Sequence, residues 1–221
     1  MDITPIVIPV IFGVLILASI PIVYRYVMRH NERMRRVADE LGFSYNGPSV
    51  EPPGAAEPSA AKRFLEVLRP WRITGMRDEV AVAIYLETRG VSKNKTTYSI
   101  VEASFPHPLP FALRLGRESV MAKIGKAVFG LQDIEVGVEQ FDKAVRIKGT
   151  DPDRIRRLFS GTGVQDRILT ALEASPTIFV TETTVRWEKR GTVEKAETYQ
   201  QAMSLVVPIV RALKDARAFE G

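Results

Sequence analysis

The strongest constraint on this chain is an uncharged run of 22 residues near its start, from residue 3 to residue 24, in which almost every side chain is apolar. As a helix this run would extend about 33 Å at about 1.5 Å per residue, which matches the hydrocarbon core of a bilayer at about 30 Å. A helix in a soluble domain is rarely apolar on every face over such a length. The run therefore predicts a transmembrane helix at residues 3–24.

A cleaved signal peptide is the alternative interpretation of the same run. Such peptides begin with a positive region, continue with about 7–15 apolar residues and end at a small-residue cleavage site. Here the leading charge is Asp2, the apolar run is longer, and the arginines follow the run rather than precede it. The pattern favours an uncleaved anchor.

The flanking charges predict the orientation of that anchor. Only Asp2 precedes the run, whereas five arginines follow it within residues 25–36. The positive-inside rule then places the N-terminus outside the plasma membrane and residues 25–221 in the cytoplasm. A basic helix is expected at residues 25–43, with His30 among its solvated side chains. Anionic headgroups of the bilayer are the expected partners of its arginines, which are Arg25, Arg29, Arg33, Arg35 and Arg36.

Composition excludes several classes of function. The formal net charge is +5 with a pI of about 9.5, but most of the excess lies in residues 25–36. The remaining chain is nearly neutral, so no nucleic-acid partner is expected. Cysteine is absent, which excludes disulfides, thiolate nucleophiles and cysteine-ligated zinc. Only two histidines occur, which excludes histidine-rich metal sites. No cofactor is predicted.

Beyond the basic helix the chain divides at a segment rich in proline. Residues 44–61 contain four prolines and break any periodicity, which predicts a tether. Residues 62–221 form the predicted cytoplasmic domain. Within it, apolar residues alternate with polar ones in several consecutive stretches from Trp71 onward, separated by short turns. Consecutive strands with short turns predict an α+β fold with a mostly antiparallel sheet and packed helices.

The chain is predicted to end in a long helix. Its apolar residues are spaced four and three apart and lie on one face. Packing of this stripe against the sheet is the favoured interpretation; a coiled-coil seam is the alternative, which Pro208 disfavours. The oligomeric state stays open. The stripe consists of Tyr199, Met203, Val206, Val210 and Leu213.

A search for catalytic motifs yields no constellation with the spacing of a known mechanism. No Gly-x-Ser-x-Gly elbow or phosphate-binding loop of the Gly-x-x-x-x-Gly-Lys-Ser/Thr type occurs. Asp133 and Glu135 would share one face of a strand and are weak metal-ligand candidates, with solvated carboxylates as the alternative. The loop residues Lys93, Asn94 and Lys95 form a possible ligand loop for phosphate groups, with a solvated turn as the alternative.

Several stretches of the predicted domain resemble a pattern in uncharacterised bacterial single-pass membrane-anchored proteins. There, a strand that ends in Gly-x-Asp leads into an Arg-Leu-Phe helix, as Gly149, Asp151 and the residues after them do here. The resemblance covers about residues 70–190 and implies a cytoplasmic α+β domain, with no activity and no catalytic residue to transfer. The stretches that carry it are residues 109–114, 132–134, 141–142, 145–151 and 155–159.

Two hypotheses follow from the sequence. The first is a membrane-tethered, non-catalytic cytoplasmic domain that binds a protein partner or a lipid headgroup at the inner membrane surface. The second is a membrane-bound enzyme that uses carboxylates, with or without a divalent cation. A contiguous apolar surface would favour the first, and a deep pocket lined by acids would favour the second.

Overall fold

One nine-stranded antiparallel sheet forms the framework of the chain. The computed structural model describes residues 4–48, 69–109, 111–124, 131–160 and 162–218. Neighbouring strands pair antiparallel throughout, in the order β1-β2-β3-β4-β9-β8-β5-β7-β6. The strands are β1 Ser44–Asn46, β2 Arg72–Arg77, β3 Val80–Arg89, β4 Thr96–Ser104, β5 Arg114–Gly116, β6 Gln132–Ile134, β7 Arg146–Gly149, β8 Phe179–Thr181 and β9 Thr184–Arg190.

Helices lie before, between and after the strands, which confirms the predicted α+β class with a mostly antiparallel sheet and a long C-terminal helix. The helices of the described ranges are α1 Thr4–Leu41, α2 Glu118–Ile124, α3 Glu139–Ala144, α4 Pro152–Leu158, α5 Thr162–Ala174 and α6 Ala196–Ala218. A single 3₁₀ turn, Ser92–Asn94, interrupts the loop between β3 and β4.

The strand register separates an apolar face of the sheet from a charged one. Ile73, Ile84, Val101 and Trp187 are cross-strand partners in one row, and all four are buried. This face packs against α6, which contacts β3, β4 and β9. Side chains of the adjacent row point the other way because successive residues of a strand alternate in direction. That row contains Arg72, Tyr85, Ile100 and Glu188.

The C-terminal helix α6 buries its predicted apolar stripe in the core. Tyr199, Val206, Val210 and Leu213 are each fully buried, and Met203 is 3% exposed. Pro208 lies inside the helix without ending it. The stripe therefore packs against the sheet and α5, as the favoured interpretation predicted.

Helix α1 runs without interruption for 38 residues and ends inside the domain. Met34, Val37 and Ala38 belong to the hydrophobic core. After the helix stops at Gly42, whose φ of 69° favours glycine, the chain continues directly into β1. Most of the predicted basic helix at residues 25–43 is therefore the second half of α1, and residues 44–46 of the predicted tether at 44–61 form β1.

Close contact between Phe43 and β2 fixes this end of α1. A Cβ atom built on Gly75 of β2 would lie 2.3 Å from the Phe43 ring, so only glycine leaves room for the ring. The three residues of β1 then pair with Arg72–Thr74 at the edge of the sheet. Residues 49–61 of the predicted tether lie outside the described residues.

No helix in the described part of the chain meets the length and hydropathy needed to cross a membrane.

Substituting Met34 by alanine should destabilise the domain. The side chain is fully buried, so its truncation should lower the free energy of unfolding by about 2–5 kcal/mol, the usual cost of a core cavity. The exposed neighbour Arg35 provides the control, and Arg35→Ala should change stability by no more than about 0.5 kcal/mol. Tryptophan fluorescence during urea unfolding measures both variants. Equal stability of the two variants would show that α1 is not part of the core.

Candidate functional site

The start of α1 defines two ends of the sheet, here called proximal and distal. The proximal end contains Trp71, which directly precedes β2, the β3–β4 loop at residues 90–95 and the end of β9 at Arg190. The distal end contains the β2–β3 turn, Arg77–Val80. Trp71 lies beside His30 and Phe43 packs on Gly75, so α1 and β2 both run from the proximal toward the distal end.

A hydrogen-bonded chain of four side chains joins α1 to the proximal end. Trp71 Nε1 donates to His30 Nε2 at 3.0 Å, and His30 Nδ1 lies 2.8 Å from Glu194 Oε1. Arg33 donates to the other Glu194 oxygen at 2.6 Å. Glu194 lies just before α6, so this cluster connects α1, β2 and α6 at one point.

The partners of His30 determine its tautomer. An indole N–H can only donate, so His30 Nε2 must accept, and the ring proton sits on Nδ1, where it is donated to the Glu194 carboxylate. The contacts with Trp71 and Glu194 therefore fix the orientation of the imidazole ring.

His30 was predicted to be a solvated side chain, and the structure corrects this. Its side chain is only 15% exposed. The signal that was present in the sequence is spacing: His30 precedes Met34, Val37 and Leu41 at intervals of four, three and four, which places it on the buried face of α1.

Glu194 carries the electrostatic part of this cluster. Burial raises the pKa of its carboxyl group, but hydrogen bonds and Coulombic attraction from His30 and Arg33 together outweigh burial and hold the pKa below its ordinary value. The negative charge of Glu194 is therefore stabilised in the folded state.

A charge-balanced network covers the face of β2, β3, β4 and β9 that is opposite to α6. Arg89 pairs with Glu87 and with Glu188, each at 2.7 Å, and Arg186 also pairs with Glu87. Arg72 lies 4.5 Å above the Tyr85 ring, and the Tyr85 hydroxyl donates to Glu102 at 2.9 Å. Burial raises the pKa of Tyr85. The positive charges of the arginines and the negative charges of the glutamates therefore balance one another within the network.

An open cavity of about 410 Å³ lies at the proximal end, between the end of β9 and the loop that follows α5. Thr177 closes one side, since its hydroxyl donates to the Glu188 carbonyl at 2.6 Å. The cavity combines aromatic, hydroxyl and cationic side chains. Its lining residues are Tyr98, Ser175, Thr177, Trp187, Glu188, Lys189 and Arg190.

The predicted ligand loop also lies at the proximal end. Lys93, Asn94 and Lys95 are exposed at the tip of the β3–β4 hairpin. Gly90 makes this tight tip possible: its φ is 98°, and a Cβ atom there would lie 2.3 Å from the Asn94 carbonyl oxygen. The backbone of the tip is thus sterically defined.

The five predicted interface arginines are all exposed on α1. Four of them, at residues 25, 29, 33 and 36, share the helical face opposite to Met34. Arg33 pairs with Glu194 and Arg36 pairs with Glu32, so part of the predicted membrane-interface charge is used within the protein.

The weak metal candidates lie away from the proximal end. Asp133 of β6 is 68% exposed and pairs with Lys148 at 3.3 Å, while Glu135 is exposed beyond the end of β6. Within the described ranges, no group of three or more histidine, aspartate or glutamate side chains is arranged to hold a metal ion.

Comparison with known proteins gives little further information. No family model matches the chain, and no curated protein matches it. Among solved structures, the crystal structure of the mycobacterial trehalose monomycolate transport factor A, TtfA, is similar with a TM-score of 0.48 at 13% identity, over 85% of this chain and 93% of that chain. The family resemblance expected from the sequence therefore stays a prediction.

Replacing Glu194 by glutamine should remove a pH-dependent part of the stability. A carboxyl group with a lowered folded-state pKa stabilises the fold above its unfolded pKa, and this contribution is lost as the pH falls through the folded value. The stability difference between the native chain and Glu194→Gln should be greatest at neutral pH and should shrink below the ordinary value of 4.5.

Urea unfolding at a series of pH values measures this difference. Gln200→Ala is the control, because it changes an exposed, uncharged residue on α6. A stability difference between the native chain and Glu194→Gln that stays constant from neutral pH to below pH 4.5 would contradict the role given to the His30 and Arg33 hydrogen bonds.

Proposed function

We propose that this protein is a non-catalytic domain anchored in the bacterial plasma membrane, which presents its proximal end to a protein partner or lipid headgroup at the cytoplasmic surface. Residues 3–24 form the single transmembrane span, the N-terminus lies outside, and residues 25–221 lie in the cytoplasm. The uncharged run and the five arginines that follow it support this topology.

The single observation that carries the proposal is the continuity of α1. The helix that contains most of the uncharged run also supplies Met34, Val37 and Ala38 to the core of the domain. An anchor joined in this way sets the height and the orientation of the domain above the bilayer. A flexible tether would limit only the largest distance between the domain and the bilayer.

The chemistry of the proximal end supports binding rather than catalysis. In the cluster of Trp71, His30, Glu194 and Arg33, the indole N–H, both imidazole nitrogens and both carboxylate oxygens are hydrogen-bonded within the cluster, which suits a structural junction. The tip of the β3–β4 hairpin and the end of β9 expose cations that suit recognition of an anionic surface, namely Lys93, Lys95, Lys189 and Arg190. Held close to the membrane, even a weak binding surface gains from the high effective concentration of membrane-bound partners.

Orientation is testable because the chain contains no cysteine, so an introduced thiol is unique. A cysteine in place of Glu79, at the exposed distal turn, should be shielded from a membrane-impermeant maleimide in intact cells and should react after the membrane is permeabilised. A cysteine in place of Asp2 should react in intact cells. The reverse pattern would overturn the topology, and labelling of both sites in a soluble fraction would overturn the anchor.

A further inference from the structure

We infer that the tip of the β3–β4 hairpin docks on the anionic headgroups of the leaflet from which α1 emerges and gives the domain a second attachment to the membrane. The tip is defined as residues 90–95. This inference rests on the proposed anchoring of residues 3–24. It assigns one ligand chemistry, the phosphate group of an anionic lipid, to a surface of this chain.

The strand register directs the tip toward the membrane. Arg72, the first residue of β2, pairs with Tyr85 of β3, and the neighbouring Trp71 is bonded to His30 of α1. Beyond Tyr85, β3 continues to Arg89 before it turns. Because β3 is antiparallel to β2, these last residues extend back toward the start of α1.

The lengths of the two segments bring the tip to headgroup depth. From Tyr85 to Arg89 the strand advances about 13 Å, at about 3.3 Å per residue. From His30 back to Tyr24, at the end of the uncharged run, α1 advances about 9 Å, at about 1.5 Å per residue. The two distances are similar, so residues 90–95 and the domain-side end of the uncharged run, at Tyr24, lie at comparable heights.

The composition of the tip suits an interface between water and lipid. Val91 is 83% exposed, the most exposed of the large apolar side chains in the described ranges, and Lys93 and Lys95 are exposed beside it. An apolar side chain can enter the headgroup region while the flanking lysines extend their ammonium groups to phosphates. The constrained turn at Gly90 reduces the entropy lost when the tip docks.

Two further cations extend this surface along the proximal end. Lys189 and Arg190 are exposed at the end of β9, and both line the open cavity together with Tyr98. The acids of the adjacent network, Glu87 and Glu188, are already paired with arginines. The cationic groups at the tip and at the end of β9 are therefore not neutralised by that network.

The distal end of the same strands offers a matched comparison. Its turn contains Arg77, Asp78 and Glu79 and is therefore net negative, whereas the proximal tip carries two lysines and no acid. The domain thus presents a positive end toward the lipid and a negative turn away from it.

Depth-dependent fluorescence quenching tests this inference on the full chain. An environment-sensitive dye is attached at Asn94→Cys on the tip or at Met76→Cys, a 63% exposed residue near the distal turn. Each protein is reconstituted into phosphatidylcholine vesicles with and without phosphatidylglycerol, and headgroup spin-labelled lipid is the quencher. Quenching should be several-fold stronger at residue 94 than at residue 76 when phosphatidylglycerol is present.

Charge variants then test whether the two lysines of the tip carry the docking interaction. Lys93→Gln with Lys95→Gln should lower the docking equilibrium by about fivefold for each lysine lost. Arg77→Glu makes the same change in net charge at the distal turn and should leave quenching at residue 94 unchanged. Equal quenching at residues 94 and 76, or equal effects of the two charge variants, would overturn the inference.

A flotation experiment distinguishes failure of the docking from failure of the proposed membrane anchor. The same vesicles are washed with alkaline carbonate and floated. Protein that floats but shows equal quenching at both sites keeps the anchor and overturns the docking. Protein that is removed by the wash overturns the anchor, and the docking with it.

Discussion

The burial of the last turns of α1 in the core of the domain is the interaction on which the rest of the structure depends. Met34, Val37 and Ala38 pack among core residues, and Phe43 fills the space that Gly75 leaves open. A helix held in this way transmits its direction to the sheet, because helix, edge strand and core form one packed unit. The orientation of the domain relative to the start of α1 is then a property of the fold.

The side chains at the proximal end follow from this arrangement. Trp71, His30, Glu194 and Arg33 are hydrogen-bonded to one another where three elements meet, so side chains of the domain itself hold this junction together. On the face of the sheet opposite to α6, arginines and glutamates also pair with one another. At the proximal end of the same strands, the tip of the β3–β4 hairpin carries the exposed Lys93 and Lys95.

Local patterns predicted much of the fold. Alternation of apolar and polar residues from Trp71 onward predicted consecutive antiparallel strands, and the stripe on α6 predicted its buried face. In both cases the signal lies within one element. The start of α4 is local in the same way, because the Asp151 side chain accepts from the Arg154 N–H at 3.0 Å and caps the helix.

The missed features depend on residues far apart in the chain. Strand β1 has only three residues and exists because it pairs with β2, so its own sequence carries no periodicity. Helix α3 has only six residues. The role of His30 required Trp71 and Glu194, which lie 41 and 164 residues away. The loop at Lys93–Lys95 was identified from the sequence, but its position at the proximal end follows only from the strand register.

Rigid continuity between the start of α1 and the sheet is the central claim, and a distance distribution tests it most directly. Spin labels at Tyr26 and Met76, both exposed, can be introduced as cysteines into this cysteine-free chain and measured by double electron–electron resonance in a bilayer. Rigid continuity of α1 with the sheet should give one narrow distance distribution. A broad distribution, of the width that a flexible linker between helix and domain would produce, would contradict it.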